Sequence, residues 1–207
     1  MVPIGVLASG RGSNLDAVLD AVDKHYLTKC EAKIVISNRI NASALEIAKK
    51  HHVETITIDD KGVPKKSWDY DQKTIAALQS AGVAPKTGLI VLAGYLRILS
   101  DQFVDLYPRR IINIHPALLP SFPGLEAQKQ ALDHGAKVTG CTVHFVDRDV
   151  DHGPIILQTP VSIRDDDTVE TLSARILREE HRILPEAIRL ITEDQVKLER
   201  RRVLFKN

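Results

Sequence analysis

Several residue types that mark whole functional classes are scarce in this chain of 207 residues. There are two cysteines, Cys30 and Cys141, which make neither a disulfide framework nor a metal-ligand spacing. Aromatic residues are 4% of the total, too few for a base-stacking nucleic-acid surface. Positive and negative charges nearly cancel, leaving +1 with His neutral, so bulk electrostatics favours no polyanionic partner. No apolar run approaches the roughly 20 residues that cross a bilayer. The opening Met1-Val2-Pro3-Ile4 has no basic stretch and no cleavage signature, so no secretory leader is expected. The expectation is a cytoplasmic protein, monomer or homodimer, with small-molecule partners and neither nucleic acid nor membrane.

Short catalytic signatures are missing too. There is no His-Glu-X-X-His and no cysteine pair to hold a metal, so none is expected. No Gly-X-Ser-X-Gly elbow presents a nucleophilic serine. The glycine loop after the first apolar run lacks the third glycine of a dinucleotide fingerprint and the Gly-Lys-Ser/Thr of a Walker loop.

What remains is a regular alternation. Apolar residues are 43%, which suits a single large domain. Apolar runs at Ile4 to Ala8, Lys33 to Ser37, Glu54 to Ile58, Leu89 to Ala93 and Ile111 to Ile114 read as strands. Between them Leu15, Val18, Leu19 and Val22, then Ala44, Leu45, Ile47 and Ala48, then Ile75, Ala76 and Leu78 keep helical spacing. This predicts βαβ units around a parallel sheet, a Rossmann-like α/β fold with helices on its faces. In the second half Cys141 to Val146 alternates and Ile155 to Ile163 reads as a strand, so antiparallel additions are expected. A long helix is expected from about 168 to 191, with Val169, Leu172, Ile176 and Ala187 on one stripe and a kink or break at Pro185. Arg200, Arg201 and Arg202 are expected to form a solvated end. The chain reads as one domain over 1–207, with a phosphate-binding half at 1–100 and a catalytic half at 101–207.

Chemistry concentrates in a few places. Ser9-Gly10-Arg11-Gly12-Ser13-Asn14 joins the first strand to the first helix; it reads either as a phosphate seat, since glycines allow close backbone approach and a helix N-terminus favours an anion, or as an ordinary strand-to-helix turn with a good cap. Ser13 is the expected cap, with Asp16 completing a capping box. Asn113 and His115 are two apart at a strand end, so their side chains share one face, and Pro116 ends the strand. Asp151, in Asp151-His152-Gly153-Pro154, is the candidate carboxylate beside that imidazole. An amide, an imidazole and a carboxylate can stabilise an oxyanion and shuttle a proton without metal or covalent nucleophile. Leu96, Ile98 and Leu99 are apolar where a loop should be polar, which suits either a flat heterocycle or the start of a buried helix. His144 either supports this site or satisfies a core hydrogen bond.

Assembled, these residues resemble the phosphoribosylglycinamide formyltransferase family across nearly the whole length. The resemblance is carried by Gly10-Arg11-Gly12-Ser13-Asn14-Leu15, Leu92 to Leu99, Asn113 to Pro120, Gly140 to Val146 and Asp151 to Ile156. The last three are shared by the wider superfamily of 10-formyltetrahydrofolate hydrolases and transferases, and the glycine loop points to the ribonucleotide branch. The resemblance implies catalysis by Asn113, His115 and Asp151. It implies a phosphate seat at Gly12, Ser13 and Asn14, and a ribose contact from Glu180. It places the folate against Leu96, Arg97, Ile98 and Leu99, with Asn113, and makes 10-formyltetrahydrofolate the formyl donor and glycinamide ribonucleotide the acceptor. Two positions depart from the family pattern: Leu177 replaces a lysine two after Arg175, and Ser67 replaces an arginine before Tyr70-Asp71.

The implied reaction has a protonated His115 polarising the formyl group, its pKa raised by Asp151. Three rivals stand beside it: a metal hydrolase using His115, His144, His152 and Asp151, a nucleotide-binding module without catalysis, and a deformylase with water as acceptor. A lid is expected somewhere in Gly124 to His134.

Overall fold

Residues 1–206 are described by a computed structural model. The chain divides into two compact units, Met1–Asn113 and Ile114 onward.

The first unit contains β1 (Val2–Ala8), α1 (Ser13–Asp23), β2 (Cys30–Ser37), α2 (Ser43–Lys50), β3 (Glu54–Thr57), α3 (Trp68–Ser80), β4 (Leu89–Leu92) and α4 (Asp101–Leu106). It also holds the first three residues of β5 (Ile111–His115). The strands pair in the order β3-β2-β1-β4-β5, and every pairing is parallel. β4 is buried throughout, as is β1 from Ile4 onward, which is why both read as unbroken apolar runs rather than alternations. The register sets Leu7 beside Leu92 and Leu92 beside Asn113. The carboxyl ends of β1, β4 and β5 are therefore level, the rim where α/β sheets take ligands. The five expected strands are all present, β1 and β2 starting two and three residues earlier than their apolar runs suggest.

The second unit contains α5 (Ala127–Asp133), β6 (Val138–Phe145), β7 (Ile155–Ser162), α6 (Val169–Thr192), β8 (Val196–Glu199) and β9 (Arg202–Phe205). β6 and β7 pair antiparallel, and so do β8 and β9. The sheet is thus mostly parallel with antiparallel additions. From Thr139 onward both faces of β6 are buried, so its alternation of polar and apolar residues does not mark an exposed side. Thr142 and His144 sit in the interior.

One expectation needs correcting and two are refined. α6 runs unbroken through Pro185, because Ile183, Leu184, Ala187 and Ile188 are buried on both sides of it and the helix packs on β6 and β7. Its stripe is Leu172, Ile176, Glu180, Ile183, Leu184, Ala187 and Ile188, while Val169, the first helical residue, is exposed. Arg200, Arg201 and Arg202 are exposed, as expected, but they belong to an ordered tail: it forms the β8–β9 hairpin, and Arg201 donates to the His152 carbonyl oxygen. Among the described residues, no helix is long and apolar enough to cross a membrane.

At the end of α2, His51 joins two helices. Its Nδ1 lies 2.7 Å from Asp23 and its Nε2 3.2 Å from Asp16, both on α1. Burial works to lower the His51 pKa, but the hydrogen bonds to Asp23 and Asp16 outweigh it and the net shift is upward. A histidine whose folded pKa is raised contributes stability that is complete below its unfolded pKa, about 6.5, and fades as pH rises through the folded value. The melting temperature of the wild type should therefore fall across that window, and His51→Gln should flatten the fall; superimposable pH–melting curves would exclude the clamp.

Candidate active site

The glycine loop is shaped by what lies behind it. Gly12 has φ +80°, and a Cβ there would sit 2.7 Å from the Ala44 Cα on α2. Only glycine satisfies both conditions. Ala44 N–H in turn donates to the Gly10 carbonyl oxygen. This corrects the expected cap: Gly12, not Ser13, is the cap residue, and no side chain caps α1. Ser13 is the first helical residue, and Asp16 faces His51 instead of completing a capping box. A helix leaves its first-turn amides without helical acceptors, so the loop offers an anion a set of N–H donors and the positive end of the dipole.

The loop after β4 alternates in burial. Leu96 is 56% exposed and Ile98 36%, while Arg97 and Leu99 are buried. The Arg97 guanidinium stacks 3.8 Å from the Tyr70 ring centroid and donates to the Pro64 carbonyl oxygen and to Asp60. Its charged head thus faces the protein. Only Leu96 and Ile98 present apolar surface outward, and the start of α4 waits until Asp101.

β5 ends at His115, with Ile112 and Ile114 buried on the opposite side from Asn113 and His115. In the second unit His115 meets Asp151: Nδ1 lies 3.3 Å from Oδ2. The other nitrogen, Nε2, lies 2.8 Å from the Phe122 carbonyl oxygen. Asp151 also accepts from the Gly124 N–H at 2.8 Å and has His144 Nε2 3.6 Å from Oδ1. The carboxylate is therefore seated between two imidazoles and an amide. Burial works to raise its pKa, but the hydrogen bond from His144, the attraction of His115 in its protonated form and the Gly124 N–H outweigh this and hold it below the usual carboxylate value.

His115 departs from expectation. Burial is the largest influence and lowers its pKa; Asp151 and the Phe122 carbonyl oppose it without reversing the direction. Asp151 does favour the imidazolium, as reasoned from sequence, but desolvation of a ring only 5% exposed wins. The resting ring is neutral near pH 7. The Phe122 contact requires a proton on Nε2, which leaves Nδ1 facing the carboxylate and able to take up a second.

The loop carrying Asp151 is built to hold that position. Asp151 has φ +53°, an uncommon conformation for a residue with a side chain. A Cβ on Gly153 would overlap the Phe145 carbonyl oxygen, so the chain can double back only with glycine there. Phe145 N–H closes the loop on the Pro154 carbonyl oxygen at 2.9 Å.

Glu180, on the α6 stripe, is buried. Arg175 pairs with Asp167 and donates to the Ser162 carbonyl oxygen. Ser67, where the family pattern has arginine, caps α3 by accepting from Tyr70 N–H, and Lys66 pairs with Asp101. His152 sits outside the group, against Asp147. Among the described residues, no group of three or more His, Cys, Asp or Glu is placed to hold a metal ion. The expected lid region forms α5, preceded by Gly124 on Asp151. Sequence reasoning missed the Phe122 and Gly124 contacts, because backbone groups carry no residue signature. It left the role of His144 open because alternation alone does not reveal a strand buried on both faces.

Substituting Asp151 by Asn removes the charge that supports the imidazolium, so His115 in Asp151→Asn should titrate lower still than in the wild type. Imidazole chemical shifts followed against pH measure this directly; an unchanged or higher value would separate the two groups electrostatically.

Comparison with known proteins brings these features together. The formyl transferase family model matches residues 3–188. The chain is 43% identical over 195 residues to the trifunctional purine biosynthetic protein adenosine-3 of Bos taurus, covering 94% of this chain but 19% of that protein. It thus spans about a fifth of such multifunctional relatives. It is 38% identical over 189 residues to the phosphoribosylglycinamide formyltransferase of Bacillus subtilis, covering 91% of this chain and 94% of that one. The crystal structure of glycinamide ribonucleotide transformylase 1 from Symbiobacterium toebii superposes with TM-score 0.93 at 48% identity, covering 100% of this chain and 95% of that one. A formyltetrahydrofolate deformylase from Pseudomonas syringae pv. tomato is less similar in sequence, at 26% identity and TM-score 0.89, and this chain covers 66% of it.

Proposed function

The chain belongs to the formyl transferase family, and we propose that it transfers the formyl group of 10-formyltetrahydrofolate to the amine of glycinamide ribonucleotide in purine biosynthesis. One observation carries the chemistry: an ionised Asp151 lies 3.3 Å from the imidazole that ends the strand bearing Asn113.

In this reading the amine lone pair attacks the formyl carbon and the carbonyl π pair moves to oxygen. Asn113 donates its amide N–H to that oxygen, and His115 donates from Nε2 once that N–H leaves the Phe122 carbonyl oxygen. Donors fixed before the charge develops act without reorganisation, which is the strongest term such sites supply. The attacking nitrogen becomes positive and must lose a proton, while the folate nitrogen must gain one as its bond to carbon breaks. A neutral His115 beside an ionised Asp151 is suited to both: Nδ1 takes up a proton as charge forms and returns it as the adduct collapses. The low resting pKa of His115 suits it to accept first, which reverses the order expected from sequence.

The glycine loop at Gly12, Ser13 and Asn14 seats the ribonucleotide phosphate, and Glu180 accepts from ribose hydroxyls. The folate lies against Leu96, Arg97, Ile98 and Leu99, with apolar contact from Leu96 and Ile98 and backbone contact from Arg97. The pterin donor is the only cofactor invoked. A deformylase would need the same trio but no phosphate seat; the helix start after Gly12, with first-turn amides that lack helical acceptors, favours the transferase.

Replacing a single oxyanion donor costs about a hundredfold to a thousandfold in other enzymes. Asn113→Ala, His115→Ala and Asp151→Asn should each lower turnover at least about a hundredfold on that scale, in a spectroscopic assay of folate release, with melting temperatures near wild type. Near-wild-type turnover in any folded variant would remove that residue from the mechanism.

A further inference from the structure

One chain of polar side chains in the first unit has no part in the chemistry above, where Arg97 acts only through its backbone. Ser9 follows β1, Asn38 follows β2, Asp60 follows β3 and Arg97 follows β4. Ser9 Oγ donates to Asn38 Oδ1 at 2.5 Å, Asn38 Nδ2 donates to Asp60 Oδ2 at 2.8 Å, and Arg97 Nη1 donates to the same oxygen at 3.2 Å. Four neighbouring parallel strands are thus laced together at their carboxyl ends by side chains that are all nearly buried.

Such a chain is a poor device for stability alone. A buried ion pair recovers little beyond its desolvation cost, and apolar side chains of similar volume serve as well. What the chain does fix is the backbone after β4. Ser9 Oγ accepts from Leu96 N–H at 2.8 Å, Asp60 and the Pro64 carbonyl hold the Arg97 guanidinium, and Ile98 N–H donates to the Lys65 carbonyl at 3.1 Å. Three successive residues are therefore tied. With Arg97 drawn inward, to 1% side-chain exposure, Leu96 and Ile98 have to face out.

We propose that Ser9, Asn38 and Asp60 are positioning residues for the pterin-bearing cosubstrate, acting through Leu96 and Arg97 to hold the apolar edge of its site. The proposal rests on the formyl-transfer reading above. The glycine loop does not depend on this chain, because backbone bonds hold it: Ser9 N–H to the Gly94 carbonyl and Ala44 N–H to the Gly10 carbonyl. The two substrates should therefore respond differently when the chain is cut.

Ser9→Ala removes the acceptor of Leu96 N–H and the donor to Asn38 while leaving the Arg97–Asp60 pair intact. Losing the Leu96 N–H bond, the one of the two that holds the folate edge, should raise the KM for 10-formyltetrahydrofolate about three- to tenfold. The KM for glycinamide ribonucleotide should stay within about twofold, and kcat should change less than the folate KM. Calorimetric titration with each substrate alone should reproduce the split. Asp60→Asn should move the folate parameters in the same direction and further; if that variant does not fold, Ser9→Ala decides alone. Unchanged folate KM and affinity in folded Ser9→Ala would overturn the proposal, as would equal losses for both substrates tracking a loss of folded protein. Absence of formyl transfer by the wild type would instead count against the reaction itself, and the folate titration would still report on the positioning.

Discussion

Everything chemical in the second unit turns on how one carboxylate is held. Asp151 sits among His115, His144 and the Gly124 amide, and its loop is forced into shape by a left-handed residue and an obligatory glycine. Burial works to raise its pKa, and the hydrogen bond from His144, the influence of His115 and the Gly124 N–H outweigh that. The carboxylate's charge, with the Phe122 carbonyl oxygen, opposes the burial that lowers the His115 pKa. The neutral ring and the charged carboxylate are two consequences of one desolvated setting.

The first unit solves a different problem with the same economy of parts. Fully buried parallel strands end level with one another, so the residues just past them converge without any long-range instruction. After β1 the chain has to turn against α2, which fixes Gly12 and leaves the amides of a helix start facing outward. After β4 the inward pull on Arg97 exposes two apolar neighbours. Anion recognition and apolar recognition are thus both products of backbone geometry, with side chains acting from behind.

Much of this was legible from sequence, for physical reasons. β1 from Ile4 onward and β4 are buried on both faces and appear as apolar runs, which made them readable. Asn113 and His115 could be placed on one face because the strand period is two. Asp151 could be nominated, but its partners Phe122 and Gly124 act through main-chain groups that no side-chain pattern announces. The direction of the His115 pKa depended on burial, which one-dimensional spacing does not contain. Pro185 does not break α6, because helix-breaking propensity is local and the packing of α6 on β6 and β7 overrides it. The β8–β9 hairpin was hidden beneath a run of arginines whose charge suggested only solvent.

The fate of an isotopically labelled formyl group tests the central claim most directly. Wild-type protein would be mixed with labelled 10-formyltetrahydrofolate, with and without glycinamide ribonucleotide, and the products separated. Label in the amide of the ribonucleotide, formed only when that acceptor is present, is the expected result. Release of labelled formate at the same rate whether or not the acceptor is added would contradict it.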